Sequence, residues 1–327
     1  MRVYRDEDAD LSLLRGRKVA ILGFGNQGRA QALNLRDSGV AQLVVGLSDP
    51  SPSRSRAAAE GIGVMTPDAA AGWADILVFL TPDETHAALY ARHVESNLRP
   101  GGAMIFAHGL SIRFGLVTPR PDLDVVLVAP KGPGTALRDD YLAGSGLVSL
   151  FAVHQNASGT AEALALSYAA ALGSGRAGIL PTSFAEECEA DLFNEQAILL
   201  GAIPELIRAG FETLVEAGFS PEIAYFECVS EVKLIADLIH ARGLAGMQEA
   251  ISTTAQMGAL KGGERIVDAR ARAEMRRILG EVRSGSFVKE LVADAETGYP
   301  RLKAWREAAR GHPIEAVGER LRALSRE

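Results

Sequence analysis

The chain has 327 residues, 47% apolar and 23% charged, with 34 Gly, 14 Pro and only 2 Cys. That length supplies apolar mass for one to three domains, and two cysteines exclude a disulfide scaffold and fit a reducing compartment. A net charge of −7 without a long basic tract argues against nucleic acid as the main partner.

The opening run Met1–Asp8 is charged from its second residue and has no apolar signal core, which argues against secretion and for a cytoplasmic protein. The longest apolar runs, such as Ile76–Leu80, fall far short of the roughly 20 residues a membrane span needs. In chain order, strands are predicted at Val19–Leu22, Gln42–Gly46, Ile76–Leu80, Ala103–Ala107, Val125–Ala129 and Val148–Val153. They are continuously apolar rather than alternating, as in a parallel sheet buried on both faces. Helix-compatible stretches lie between them at Gly28–Asp37, Ser53–Glu60 and Thr85–Asn97. This rhythm predicts an α/β fold, with a doubly wound, Rossmann-type domain over residues 1–181.

Beyond Pro181 the apolar spacing turns helical (Leu192, Ala197, Leu200, Ile203, Leu206, Ile207), predicting an all-helical domain over residues 182–327. Breaks are expected at Gly210, Gly218–Pro221, Gly243, Gly262–Gly263 and Gly298–Pro300, and the tail after Arg301 reads as a solvated amphipathic helix.

Gly23-Phe24-Gly25-Asn26-Gln27-Gly28 follows the first strand and opens a helix, with a second strand about 20 residues later. Glycines there permit a tight turn and a close approach to a pyrophosphate, which the free N–H groups of the helix start attract. At the end of the second strand, Ser48, Ser51, Ser53 and Arg54 suit a 2′-phosphate, whereas Asp49 would repel one. The loop therefore favours NADP, with NAD as the alternative.

Twelve acidic residues lie between Pro181 and His240, opposed only by Arg208 and Lys233. Asp191 with Glu195, and Glu227 with Glu231, are i,i+4 pairs with apolar neighbours. Solvated helix faces are the ordinary reading of such residues. Two pairs facing one another would instead offer hard oxygen ligands to one or two Mg²⁺ ions. Glu186, Glu205, Glu212, Glu216 and Glu222 are assigned to the solvated face. His108 and Lys131 follow the fourth and fifth strands, at the sheet end where α/β proteins bind ligands. A histidine there can shuttle a proton and a lysine can stabilise an alkoxide; a surface loop is the plainer alternative. His86, His93, His154, His240 and His312 read as surface or packing residues, and Cys188 and Cys228 fit no zinc pattern.

With these residues assembled, the sequence resembles the short class of ketol-acid reductoisomerases over almost its whole length. The resemblance is carried by Tyr4–Leu11, the glycine turn, Thr81–Glu84, Ala107–Gly109, Ala129–Gly134, Asp191–Gln196, Ala209–Glu216, Pro221–Cys228 and Ile251–Ser252. It implies Mg²⁺-dependent alkyl migration in 2-acetolactate or 2-aceto-2-hydroxybutyrate, then NADPH reduction to a 2,3-dihydroxy acid. Asp191 would bridge two ions, Glu195 would complete one shell, and Glu227 and Glu231 the other. His108, Lys131 and Glu231 would be catalytic, Ser252 would hold the substrate carboxylate, and Asp83 and Gly134 would join the cofactor residues. The resemblance also implies an interlocked homodimer whose helical domains build each active site.

The sequence departs from the family pattern at Ser48-Asp49, where arginine is common, at Arg113 and Thr135, where histidine is common, and at Leu180–Ser183 and Thr253–Gln256. A reductase of a related 2-keto acid such as ketopantoate, or a catalytically silent nucleotide-binding dimer, is the alternative.

Overall fold

A computed structural model describes residues 1–324. Eight strands form one sheet: β1 (Val19–Leu22), β2 (Leu43–Gly46), β3 (Gly63–Met65), β4 (Ile76–Phe79), β5 (Ala103–Phe106), β6 (Asp124–Pro130), β7 (Ser149–Gln155) and β8 (Ile179–Pro181). Their order is β3-β2-β1-β4-β5-β6-β7-β8. All neighbours pair in parallel except β6 and β7, which run antiparallel.

Helix α1 (Ser12–Arg15) precedes β1, and the connections between strands carry α2 (Asn26–Asp37), α3 (Ser53–Ala59), α4 (Pro67–Trp73), α5 (His86–Leu89), α6 (Leu110–Arg113), α7 (Gly134–Leu142) and α8 (Ala161–Ala171). Successive residues of the central strands join opposite cores: Val19, Ile21, Ile76 and Val78 pack on one face, Ala20, Leu22, Leu77 and Phe79 on the other. This two-sided burial is the physical reason for the unbroken apolar runs. The chain order reverses beside β1, where β4 takes the side opposite β2, so the carboxyl ends of β1 and β4 flank the crevice where α/β sheets bind ligands.

Strands β3 and β8 were not expected from the sequence. Each is three residues long and includes a Gly or Pro, too short to register as a periodic run. The reversed direction of β7 was also missed; its last three residues lose burial, as an antiparallel strand can allow.

The next helix, α9 (Phe184–Asn194), begins in this sheet unit and leaves it. The chain divides into a compact unit ending at Cys188 and a second beginning at Glu189. Phe184 and Cys188 are buried, so the first turns of α9 share the core of the sheet unit beyond the expected boundary at 181/182.

The second unit is helical throughout its described residues: α10 (Ala202–Glu216), α11 (Pro221–Tyr225), α12 (Glu231–Ala250), α13 (Thr253–Ile266), α14 (Ala269–Ser284), α15 (Ser286–Glu296), α16 (Pro300–Arg310) and α17 (Pro313–Leu324). Wider π-turns at Glu195–Leu199 and Phe226–Ser230 interrupt the α-helical winding.

Two expected breaks are corrected here. Gly210 lies inside α10, where a Cβ would come 3.2 Å from the Cys228 sulfur, so this glycine serves close helix packing. Gly262–Gly263 lie within α13. Gly243 does break regularity, with φ 71° inside α12, and the tail is not simply solvated, since Val317 of α17 packs on Phe211 and Ala224. Among the described residues no helix is long and apolar enough to cross a membrane.

Candidate active site

The three glycines of the β1–α2 turn have separable jobs. Gly23 has φ +106°, and a Cβ there would lie 2.6 Å from the Leu80 carbonyl oxygen; at Gly28 it would lie 2.5 Å from the Gly23 oxygen. Both positions exclude a side chain because backbone presses on backbone. At Gly25, exposed just before α2, a Cβ would meet nothing within 4 Å. The helix start thus faces open space with its first N–H groups, the arrangement an anion requires.

Gly134, which opens α7, is held equally close to this turn, since a Cβ would lie 2.3 Å from the Asn26 carbonyl oxygen. Along the β2 end, Ser48 and Asp49 are exposed and the Ser51 hydroxyl accepts the Ser53 N–H. Arg54 turns back to donate to the Leu47 carbonyl at 2.7 Å. Arg56 reaches Ser53 Oγ at 2.7 Å and the Phe24 carbonyl at 3.4 Å, across the glycine turn.

The polar centre of the sheet unit is Glu187, which is 2% exposed. Its carboxylate accepts the Gly109 N–H at 2.9 Å and the Lys131 ammonium at 3.1 Å, and lies 3.2 Å from His108 Nδ1. A side chain at Gly109 would collide with the Phe184 carbonyl at 2.3 Å, which lets the β5 loop press onto α9.

A carboxylate so deeply buried is tolerated because cations and a backbone donor surround it. Burial pushes its pKa up, but His108, Lys131 and the Gly109 N–H outweigh this and hold it below the ordinary range. Burial pushes His108 down, yet its contacts with Cys188 and Glu187 and the charge of Asp83 carry it well above the ordinary histidine value. Cys188 Sγ lies 3.9 Å from His108 Nε2, and burial pushes its thiol up.

Helix α9 continues without interruption past this cluster and presents Asp191 one turn later on the same face as Glu187.

Of the residues expected at the site, His108 and Lys131 are brought together by Glu187, and Asp191 follows Glu187 one turn later on α9. Glu195 follows at the start of a π-turn, exposed. Glu227 and Glu231 are exposed, within and just after the second π-turn. Ser252 caps α13, accepting the Ala255 N–H at 3.2 Å.

Two residues were overlooked in the sequence. Glu187 stands one turn before Asp191, so extending the i,i+4 pair backwards would have found it. His86, taken as surface or packing, is 2% exposed: it lies 2.9 Å from the Thr81 carbonyl through Nε2 and 2.7 Å from Ser111 Oγ through Nδ1. A carbonyl only accepts, so Nε2 carries the proton and neutral His86 accepts from Ser111. It thereby ties the loop holding Asp83 to the segment following His108. Burial pushes the Asp83 carboxyl up against the opposing charges of His108 and His86.

Comparison with known proteins decides what this geometry belongs to. Residues 13–178 match the acetohydroxy acid isomeroreductase NADPH-binding domain, and residues 184–327 match the ketol-acid reductoisomerase C-terminal domain. The chain belongs to the ketol-acid reductoisomerase family. It is similar to an NADH-preferring ketol-acid reductoisomerase from an uncultured archaeon, with 42% identity, 99% of each chain covered and a TM-score of 0.96.

More distant likenesses show the fold alone. A putative oxidoreductase from Jannaschia sp. CCS1 matches at 16% identity and TM-score 0.62, covering 82% of this chain and 97% of the other. A pyrroline carboxylate reductase from Plasmodium falciparum matches at 14% and 0.53, covering 83% and 98%. As a ketol-acid reductoisomerase the chain is an enzyme, both oxidoreductase and isomerase, with a nicotinamide-binding sheet domain.

Proposed function

We propose that this chain converts 2-acetolactate or 2-aceto-2-hydroxybutyrate to the 2,3-dihydroxy acid, using Mg²⁺ and NADPH and accepting NADH as well. The observation that carries this reading is the buried Glu187 with Lys131 and His108 at one end of a carboxylate stripe, Glu187–Asp191–Glu195. Hard carboxylate oxygens at successive turns suit Mg²⁺. Asp191 and Glu195 would hold the ions from one chain, and Glu227, Glu231 and Ser252 of a second copy would close the site in a homodimer. Exposure of those three residues, together with exposed Leu234, Leu244, Met257 and Leu260 on α12 and α13, supports a second copy as the occupant.

Bound ions would polarise the substrate carbonyl and acidify its neighbouring hydroxyl, and a bound nicotinamide would supply the hydride. Lys131 and His108, both cationic beside Glu187, would donate to substrate oxygens as negative charge develops on them. Glu231 would accept the hydroxyl proton. Gly23, Phe24, Gly25, Asn26, Gln27, Gly28 and Gly134 would cradle the cofactor phosphates with backbone N–H groups, and Asp83 would border the nicotinamide end.

Ser48, Ser51, Ser53 and Arg56 would receive a 2′-phosphate. Asp49 would accept a ribose hydroxyl and so weaken the preference for phosphate.

Initial rates with 2-acetolactate, with and without Mg²⁺ and with each cofactor, test the reading. Turnover should stop in EDTA and in Glu227→Gln. Steady turnover under chelation overturns the metal assignment, and reduction of the 3-hydroxy-2-keto acid without that of acetolactate points to a simple reductase. Asp49→Ser should raise the NADPH/NADH ratio of kcat/KM by about fivefold to tenfold, the size of one screened like-charge contact.

A further inference from the structure

One chain of hydrogen bonds runs from the core of the sheet unit to the loop that carries Lys131. The buried Tyr168 hydroxyl donates to Gln31 Oε1 at 2.8 Å. Gln31 Nε2 donates to Gln27 Oε1 at 3.1 Å, and Gln27 Nε2 donates to the Gly132 carbonyl at 2.8 Å. Gly132 O can only accept, so every amide in the relay is forced to point its donor toward the Lys131 loop. Tyr168 and Gln31 are wholly buried, and neither can exchange its partner for water.

On its other side the loop is fixed by the Lys131 N–H, which donates to the Val148 carbonyl at 2.9 Å. The close approach of Gly134 to Asn26 leaves the glycine turn and the start of α7 no slack. Gln27 therefore has two separable parts: a backbone N–H at the start of α2, and a carboxamide turned away to Gly132.

We propose that Gln27 is a positioning residue for Lys131: its carboxamide joins the glycine turn to the Lys131 loop and so sets the ammonium beside Glu187 for the reaction. The inference rests on the reading of Lys131 given above. It makes the cofactor turn and the polar centre one rigid piece. Losing the Gly132 bond leaves the loop held from one side, and small misplacements of a reacting group are costly.

The test is a split between kcat and cofactor affinity. Gln27→Met keeps the side-chain length and removes both bonds, while Tyr168→Phe removes only the distant donor. Gln27→Met should lower kcat by about 10- to 30-fold, with the NADPH dissociation constant, read by nicotinamide fluorescence, within about threefold of the parent. Tyr168→Phe should lower kcat by about two- to threefold, and the double variant should be no slower than Gln27→Met, because the sites act in series.

A dissociation constant that rises as kcat holds would make the carboxamide a cofactor ligand and overturn the proposal. Wild-type kcat in both variants would leave the relay purely structural and overturn it too. Should Gln27→Met fail to fold, the same split in Tyr168→Phe decides. Lys131→Met separates the two levels. If it keeps full kcat, the reading of Lys131 falls with the inference; if it is inactive while Gln27→Met is unimpaired, the inference alone falls.

Discussion

The sheet unit and the helical unit of this chain solve burial differently. In the sheet unit, Val19, Ile21, Leu22, Ile76, Leu77 and Ile105 are fully buried between two helical layers. In the helical unit, the described core around Phe211, Ala224 and Val317 is small, while Leu200, Leu234, Leu244, Leu260 and Ile266 are each more than 60% exposed. A lone soluble chain seldom leaves so many large apolar side chains in water. The contrast teaches that the sheet unit closes its apolar core within itself, whereas the exposed apolar side chains of the helical unit are the reason a homodimer is proposed to cover them.

The sharpest way to sharpen the comparison is to alter the helix that belongs to both units. Asp191→Asn on α9 keeps the side-chain shape and removes one charge from the stripe. Under the proposed metal role, kcat should fall by about a thousandfold or more, while the unfolding midpoint stays the same or rises as like charges are relieved. Calorimetry beside steady-state rates checks both. A parallel loss of stability and activity would mean that Asp191 serves the fold.

A second pair of substitutions asks whether the two units differ in what holds them. Phe79, 1% exposed and stacked on Phe106 with ring centroids 4.7 Å apart, is part of a closed core. Phe79→Ala should cost about 3–5 kcal/mol at any protein concentration. Leu260, 70% exposed, should behave otherwise. Leu260→Ala should cost under about 0.5 kcal/mol when the chains are dilute and apart, yet lower the unfolding midpoint in concentrated solution if a second copy covers it. Denaturant melts over a hundredfold range of concentration read the difference, and a concentration-independent loss at Leu260 would erase the distinction drawn here.

The two units also differ in how far their sequences could be read. Central strands are legible because burial on both faces writes itself as unbroken apolar runs, and the glycine turn because two backbone constraints, at Gly23 and Gly28, fall in one short motif. What escaped was set by neighbours distant in sequence. Strand β8 exists because it pairs with β7 and with Tyr4. Gly210 looks like a helix stop until the Cys228 sulfur is placed against it. The carboxylate face proposed to hold metal is legible from Asp191 onward, where carboxylates come in pairs. Glu187 was passed over because its meaning comes from His108 and Lys131, more than fifty residues away in sequence. No periodicity carries that information.

The smallest expected effect concerns His86, where the sheet unit pays for its close packing with a buried titratable ring. Burial pushes its pKa below the ordinary 6.5, against the raising influence of Asp83, whose carboxylate lies 3.7 Å from Nδ1, the Thr81 carbonyl bond and the more distant Glu84; the charge of His108 adds to the depression. The folded state thus holds a neutral ring and the unfolded chain binds the proton more readily. Stability contributed by this group is complete above about pH 6.5 and is lost as the pH falls through the lowered folded value. Thermal melts between pH 7.5 and pH 5 should show the midpoint dropping on the acid side. His86→Gln, which cannot titrate, should show a shallower drop over the same range even if its midpoint at pH 7.5 is lower. Equal slopes in the two proteins would mean that other groups of the fold set its acid sensitivity, and that the link between the Asp83 loop and the His108 segment bears no titratable load.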